Sequence, residues 1–294
     1  MNFSNFKKDL QPIFELLRWN KPTGRLILLI PAGWSLWLTP NEFPNFYILL
    51  KILLGGILVS GFGCIANDIW DIEIDRKVLR TKNRPLASNK IKIKYAYILL
   101  LLFLIGSFLI ALSLLKNNTF ITLILSFIAL PLILIYPSAK RWFKFPQAIL
   151  SICWGFAVLI PWAAHEGNLS SPVLFFCWLA TISWTFGFDT IYSLADKEYD
   201  LKIGINSSAI NLGAKTNLTV RISYFLTSLS LATCAILNQS NFLFWPIWLC
   251  ISILMQVDTR KIFNSKVYTQ AKIGTHFRNQ VIYGSLFLLG IILS

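Results

Sequence analysis

The sequence predicts an all-α polytopic membrane protein, and its composition is the first observation that predicts this class. Of its 294 residues, 55% are hydrophobic and 15% aromatic, whereas only 14% are charged, and the mean hydropathy is +0.62. Soluble domains carry a much larger share of charge. The second observation is that the apolar residues gather in stretches of about 20, the length that an α-helix needs to cross a bilayer.

These stretches predict about nine transmembrane helices within one membrane-embedded domain, residues 1–294. The predicted spans lie near residues 23–40, 46–66, 95–115, 118–138, 146–164, 171–191, 217–238, 241–257 and 279–294. Several contain Pro or Gly, which helix bundles tolerate because neighbouring helices satisfy the freed backbone groups. The opening segment, residues 1–22, predicts an amphipathic helix at the membrane surface.

The distribution of basic residues predicts the orientation of the chain. A net charge of +14 would suggest a nucleic-acid partner in a soluble protein. Here 25 of the 27 Lys and Arg residues fall in the N-terminal segment and in alternate loops, and only Lys51 and Lys116 fall on the other side. The positive-inside rule then places the N-terminus in the cytoplasm of a bacterium, with the chain in its inner membrane. The predicted partner of the surface is lipid rather than nucleic acid.

A first cluster of charge follows the second span, in NDIWDIEIDRKVLRTKNRPLAS, residues 67–88. On a helix Asp68, Asp71 and Asp75 share one stripe, flanked by Asn67, while Glu73 points nearly the opposite way. Acids of like charge repel at this spacing, and acids near lipid are costly. The stripe therefore requires compensating cations and indicates a functional site.

A second cluster follows the sixth span, in FDTIYSLADKEYDLKIGINSSAI, residues 188–210. Asp189, Asp196 and Asp200 again fall on one helical stripe, with Tyr192 beside it. Two carboxylate stripes on one membrane face, each followed by basic residues, are the groups needed to hold Mg²⁺ against a diphosphate. The same spacing also fits a divalent-cation carrier, but a carrier needs polar residues across the membrane, and the outer loops hold few charges.

The residues of both clusters resemble motifs of a known family. NDIWDIEID resembles the NDxxDxxxD motif, and DTIYSLADKEYD the second Asp-rich motif, of the UbiA-type intramembrane prenyltransferases; RTKNRPLAS and DLKIGINSSAI resemble the stretches that follow them. YPSAKRWFKFPQ, residues 136–147, and RWNKPTGRLILLIPAGW near the start are similar to the 4-hydroxybenzoate polyprenyltransferase branch. The resemblance extends from about residue 15 to about residue 215.

This resemblance implies a bundle around a central cavity, open to lipid and covered by cytoplasmic cap loops. It further implies Mg²⁺-dependent transfer of a polyprenyl group from a polyprenyl diphosphate to an aromatic acid, 4-hydroxybenzoate, ortho to its hydroxyl. The product would enter quinone biosynthesis, either ubiquinone or plastoquinone, and no obligate protein partner is expected. A sister enzyme that uses homogentisate, a dihydroxynaphthoate or a non-aromatic alcohol is the alternative.

The resemblance also implies a role for each matching residue. One Mg²⁺ would be held by Asn67, Asp71 and Asp75, and the other by Asp196 and Asp200, with Asp68 and Asp189 as further ligands or hydrogen-bond partners. Basic residues expected to contact the diphosphate are Arg76, Arg84, Lys140, Lys197 and Lys202. The rings of Tyr136 and Tyr192 would shield the allylic cation. Arg18 or Arg25 would pair with the acceptor's carboxylate.

Overall fold

The computed structural model describes residues 3–20, 23–40, 43–115, 120–265 and 267–294. Every regular element in these ranges is helical, which confirms the predicted all-α class. In chain order the helices are α1 Phe3–Leu16, α2 Thr23–Trp37, α3 Phe46–Trp70, α4 Ile72–Lys77, α5 Ile93–Ser113, α6 Ile121–Trp142, α7 Pro146–Glu166, α8 Pro172–Ser193, α9 Lys197–Ile203, α10 Ser208–Leu212, α11 Thr216–Leu237, α12 Phe244–Phe263 and α13 Gln270–Ile292, with a 3₁₀ turn at Gly213–Lys215 between α10 and α11.

Six helical segments in the described ranges are long and apolar enough to cross a bilayer: α3, α5, α6, α7, α8 and the segment Ser208–Leu237 that ends in α11. The prediction of a multi-pass membrane protein is thus confirmed. Helices α2, α12 and α13 occupy the other three predicted spans, but α2 has only 15 residues and the other two are more polar. The number nine therefore stays a prediction.

Three parts of these predictions lie outside the described residues. They are residues 1, 2, 21 and 22 of the opening segment, residues 118 and 119 of the fourth predicted span, and Lys116. Within the described part, α1 leads to Leu16 and Leu17, which are buried against Ile65 of α3. This contact holds the end of α1 against α3, close to the first acidic motif.

Aromatic side chains fill the centre of the bundle around α8. Trp34 of α2 and Trp184 of α8 pack with their ring centroids 5.0 Å apart, and both are almost completely buried. The indole of Trp34 donates to the carbonyl of Gly284 in α13, at 3.0 Å. A Cβ at Gly284 would come within 2.6 Å of the Trp184 ring, so the glycine permits this close approach. These contacts join the N-terminal and C-terminal helices of the chain.

Both acidic motifs coincide with breaks in the helices. The shared face predicted for the acids of each motif assumes a continuous helix, but in the structure a helix ends within each motif. Helix α3 ends at Trp70 and α4 begins at Ile72, while α8 ends at Ser193 and α9 begins at Lys197. At the first break the hydrogen bond from the Asp75 amide to the Asp71 carbonyl persists, at 2.7 Å. The first stripe consequently keeps its common face, whereas the second is divided between two helices joined by a turn.

Candidate active site

The two acidic motifs line one cavity. The cavity has a volume of about 200 Å³ and lies where α3, α6 and α8 end and α7 begins. The acids and amide that the structure brings together here are Asn67, Asp71, Asp75, Asp189, Asp196 and Asp200. Tyr136, Tyr192, Arg84 and Lys140 also line it. Ten of the residues predicted from the sequence therefore meet at one site.

The first motif is buried and its charges are compensated. Asp68, Asp71 and Asp75 are at most 4% exposed, whereas the Glu73 side chain is 76% exposed, as the helical stripe predicts. Such buried carboxylates require partners, because an unpaired buried charge is strongly disfavoured. The partners are basic side chains that come from three different segments of the chain, and Arg84 is one of these side chains.

Each carboxylate of this motif contacts at least one basic side chain. Lys140 forms an ion pair with Asp71, and Arg141 lies 3.2 Å from the same carboxylate. Burial raises the pKa of Asp71, although Lys140 acts in the opposite direction. Arg84 contacts Asp75 at 2.8 Å and Asp68 at 3.3 Å.

The second motif is held by Arg80, which the sequence reasoning did not select. Its guanidinium makes two hydrogen bonds to Asp196, one of them from Nε to Oδ1 at 2.9 Å, and lies 5.8 Å from the Tyr192 ring centroid. Burial, and next the neighbouring Asp196, raise the pKa of Asp200 to about 6. Arg80 follows the first motif and Asp196 belongs to the second, so this pair joins the two motifs across the cavity.

Further hydrogen bonds fix the loops that cover the cavity. The Tyr199 hydroxyl donates to the carbonyl of Lys77, and the Asn206 amide donates to the carbonyl of Lys140 at 2.8 Å. Gln147 at the start of α7 lines the cavity together with Asp189, and its side-chain oxygen Oε1 accepts from the Ser208 amide at 2.7 Å. Two cap segments, residues 78–92 and 194–207, line the cavity. These bonds tie the second of them to the ends of α4 and α6, and tie the start of α10 to α7.

The described residues contain no preformed group of three or more His, Cys, Asp or Glu side chains arranged to hold a metal ion. Several of the carboxylates instead bind basic side chains, as in Asp71 with Lys140 and Asp196 with Arg80. The donor chemistry nevertheless fits a divalent cation, because five carboxylates and the Asn67 amide surround one cavity and hard oxygen ligands suit Mg²⁺. One oxygen of Asp68, Oδ2, is buried and has no hydrogen-bond partner.

A comparison of the sequence with models of protein families shows which family has this cavity lined by two acidic motifs. The sequence model of the UbiA prenyltransferase family matches residues 28–279, which include both acidic motifs and the three terminal helices as far as α13. The chain belongs to the UbiA prenyltransferase family. This confirms the family resemblance and extends it beyond residue 215.

Two curated members of the UbiA family illustrate how similar the chain is to its relatives. It is 40% identical to the 4-hydroxybenzoate solanesyltransferase of Synechocystis sp. over 96% of this chain and 94% of that protein. It is 36% identical to the 4-hydroxybenzoate octaprenyltransferase of Neisseria meningitidis over 88% of this chain and 85% of that protein.

Solved structures of UbiA proteins share the fold. The structure of a UbiA homolog from Aeropyrum pernix superimposes with a TM-score of 0.77 at 21% identity, over 91% of this chain and 97% of that one. A UbiA homolog from Archaeoglobus fulgidus, bound to GPP and Mg²⁺, gives a TM-score of 0.65 at 18% identity, over 94% and 99%. The helical bundle of this protein is therefore a UbiA fold.

Some predicted site residues of this UbiA protein lie outside the cavity lining. Arg18 forms an ion pair with Asp68, and Arg84 contacts the same carboxylate. Arg25 donates to the Leu17 carbonyl.

The other predicted basic residues lie on the solvent side. Arg76 contacts Glu73 at 2.7 Å and Asn89 at 3.1 Å. Lys197 and Lys202 are on α9, beside the cavity but not in its lining.

Other residues at the site escaped the sequence reasoning. Besides Arg80, these are Arg141, which binds Asp71 and the Trp70 carbonyl, and Gln147, which lines the cavity and accepts from the Ser208 amide. Arg141 and Gln147 both lie within YPSAKRWFKFPQ, the segment that resembles the family between α6 and α7. That segment was the available signal, since the polar side chains of a short stretch between two spans need polar partners.

Proposed function

We propose that this protein transfers a polyprenyl group from a polyprenyl diphosphate to 4-hydroxybenzoate, ortho to the hydroxyl, in quinone biosynthesis. The observation that carries this proposal is a cavity lined by both acidic motifs, in a chain that matches named 4-hydroxybenzoate polyprenyltransferases over most of its length. Membership of a prenyltransferase family sets aside the divalent-cation carrier. We further propose that residues 1–294 act as one membrane-embedded domain.

The cofactor that we propose is Mg²⁺, held on two sides of the cavity. Asn67, Asp71 and Asp75 would supply ligands on one side, and Asp196 and Asp200 on the other, with Asp68 and Asp189 behind them. When bound, a divalent cation stabilises the negative charge of the leaving diphosphate. The Archaeoglobus fulgidus homolog, whose structure contains GPP and Mg²⁺, supports a divalent cation in this fold.

Basic residues of the lining supply the remaining positive charge for the diphosphate. Arg84 and Lys140 now neutralise Asp75 and Asp71. If these carboxylates turn to a metal ion, the same cations become available to phosphate oxygens within the same cavity. Lys140 and Arg84 then bind the leaving group as the bond between C1 of the prenyl chain and the diphosphate oxygen breaks. Arg76, Lys197 and Lys202 would act from the edge of the cap through their positive charge alone, because none of them lines the cavity.

Aromatic rings favour the transient cation that this step produces. Tyr136 and Tyr192 line the cavity beside the acids, and a ring face stabilises a desolvated cation by about 2 kcal/mol. The ring carbon ortho to the phenol then attacks C1, and loss of the ring proton restores aromaticity. We assign the acceptor's carboxylate to Arg18 or Arg25, whose planar guanidinium suits a carboxylate.

A panel of labelled acceptors tests the proposal. Membranes that contain the protein are given Mg²⁺, a polyprenyl diphosphate and either 4-hydroxybenzoate or homogentisate. We expect 3-polyprenyl-4-hydroxybenzoate as the product, with little competition from homogentisate. Efficient turnover of homogentisate without turnover of 4-hydroxybenzoate would instead assign the protein to the sister enzymes.

A further inference from the structure

The last three helices contain a buried chain of hydrogen bonds that the reaction described above does not use. His276 of α13 lies between Tyr224 of α11 and Asp258 of α12. Its Nε2 is 2.8 Å from the Tyr224 hydroxyl, and its Nδ1 is 2.7 Å from Oδ2 of Asp258. Tyr224 and His276 are at most 1% exposed, and the Asp258 side chain is 14% exposed. We call Asp258, His276, Tyr224 and Gln280 the buried network.

The hydrogen bonds of the buried network fix its orientation. The Trp184 indole can only donate, and it donates to Oε1 of Gln280 at 2.9 Å. The Gln280 amide nitrogen therefore faces Nε2 of His276, at 3.4 Å. Ionised Asp258 can only accept, so the imidazole proton is assigned to Nδ1 and Nε2 accepts from Tyr224. With this tautomer the neutral imidazole donates to Asp258 and accepts from Tyr224. These two hydrogen bonds join α13 to α12 and α11.

The next residue along α13 connects the buried network with the cavity. The ring of Phe277 packs on Tyr192 and on Phe188, with centroid distances of 5.4 and 5.5 Å. Tyr192 lines the cavity and lies beneath the Arg80 guanidinium. The direction of the Phe277 side chain is set by the rotation of α13 about its axis, because successive helical residues point in different directions. Bonds from His276 to two other helices resist that rotation.

We propose that His276, held by Asp258 and Tyr224, is a positioning residue for prenyl transfer: it keeps Phe277 behind Tyr192, so that the Tyr192 ring faces the cation that forms in the cavity. This inference rests on the proposed function. His276 does not touch the reacting atoms, and its effect is transmitted through Phe277 to Tyr192. Side chains whose own orientation is held by neighbours can stabilise a transition state without rearranging.

A double-mutant cycle between His276 and Tyr192 tests the proposal. We expect Tyr192→Leu to lower kcat about 30-fold, the effect of losing one cation–ring contact of about 2 kcal/mol. His276→Ala should lower kcat by a similar factor, with little change in the KM for the acceptor. In the double variant the losses should not multiply, because the two residues act through one contact.

Matched variants separate positioning from a general structural role. Asp258→Asn retains an oxygen that accepts from Nδ1, so it should keep most of the kcat that Asp258→Ala loses. Thr259→Val is the control, because Thr259 lies next to Asp258 on α12 and is as buried as His276, but its hydroxyl bonds to the Met255 carbonyl of its own helix. If His276→Ala does not accumulate, Tyr224→Phe, which keeps the ring, takes its place in the cycle. Each variant is first shown to purify as a single species.

The outcomes distinguish this inference from the proposed function. Turnover is measured with the acceptor that the wild-type protein uses best, so a wrong acceptor is evident from the wild type alone. A double variant as active as Tyr192→Leu supports the inference. Losses that multiply to about 1,000-fold, as expected for independent sites, would overturn it, as would an unchanged kcat in His276→Ala.

Discussion

Arg80 follows the first acidic motif in the chain and contacts two residues of the second. It binds Asp196 with two nitrogens of its guanidinium and lies over Tyr192, and its side chain is only 27% exposed. Lys cannot reproduce a two-pronged contact, because its ammonium is a single point of charge. Arg80→Lys should therefore lower kcat/KM about tenfold even though the net charge is unchanged.

Arg76→Lys is the matched control for this prediction. Arg76 occupies the same basic segment, but it contacts Glu73 and Asn89 outside the cavity. Its replacement should leave prenyl transfer close to that of the wild type. Wild-type activity in both variants, measured with purified protein at saturating Mg²⁺, would contradict the prediction and show that the segment acts only through its total charge.

The acids of the site could be found from the sequence, whereas their cations could not. Asp68, Asp71 and Asp75 stand out because acids are rare in this chain and these three share helical spacing. Arg80 does not stand out, since the segment around it has many basic residues and its partner Asp196 is 116 residues away. Long-range pairing depends on how the helices pack, and no local spacing encodes it.

Among the elements, the cap helix α9 ends in a conformation that requires glycine. Gly204 has a φ of +71° and terminates α9 just before Asn206, which binds the end of α6. A residue with a Cβ is strained in this left-handed region by about 1 kcal/mol or more. Gly204→Ala should therefore lower the melting temperature and displace the cap, which raises the KM for the prenyl diphosphate.

Gly274 provides the comparison within the same protein. It lies in α13, and a Cβ there meets nothing within 4 Å, as at Gly204, but its φ is helical. Gly274→Ala should raise stability by up to about 1 kcal/mol, because alanine favours helix. Thermal unfolding in detergent would show opposite shifts for the two variants; shifts of the same sign would contradict the role given to φ at Gly204.

Hydropathy located the apolar helices well but not their polar ends. The predicted span at 279–294 begins late, because α13 starts at Gln270 and turns His276 and Gln280 into the bundle. The hydropathy pattern leaves His276 outside the predicted span, whereas its partners Tyr224 and Asp258 on α11 and α12 hold it inside the bundle. The helix breaks at both acidic motifs were missed for a related reason, since turns such as 194–196 contain no proline or glycine to indicate them.

For the whole molecule, the basic residues predict which face of the membrane holds the cavity. The cap segment 78–92 and the residues of the second motif share one end of the bundle. With an odd number of spans, a reporter fused after Ser294 should lie outside the cytoplasm, and one inserted at residues 76–94 should lie inside it. Reporters that are active only on one side of the membrane measure this. Identical readings at both positions would contradict the predicted number of spans.

The central claim is that prenyl transfer takes place between the two acidic motifs, and it is tested most directly by the kcat of Asp71→Asn and Asp196→Asn with 4-hydroxybenzoate. Each change keeps the side chain's size but removes one charge that acts on the leaving diphosphate. We expect each variant to accumulate normally and to lose about 100- to 1,000-fold in kcat. Glu73→Gln, on the exposed face, should lose little. Near-normal turnover by Asp71→Asn and Asp196→Asn would contradict the account.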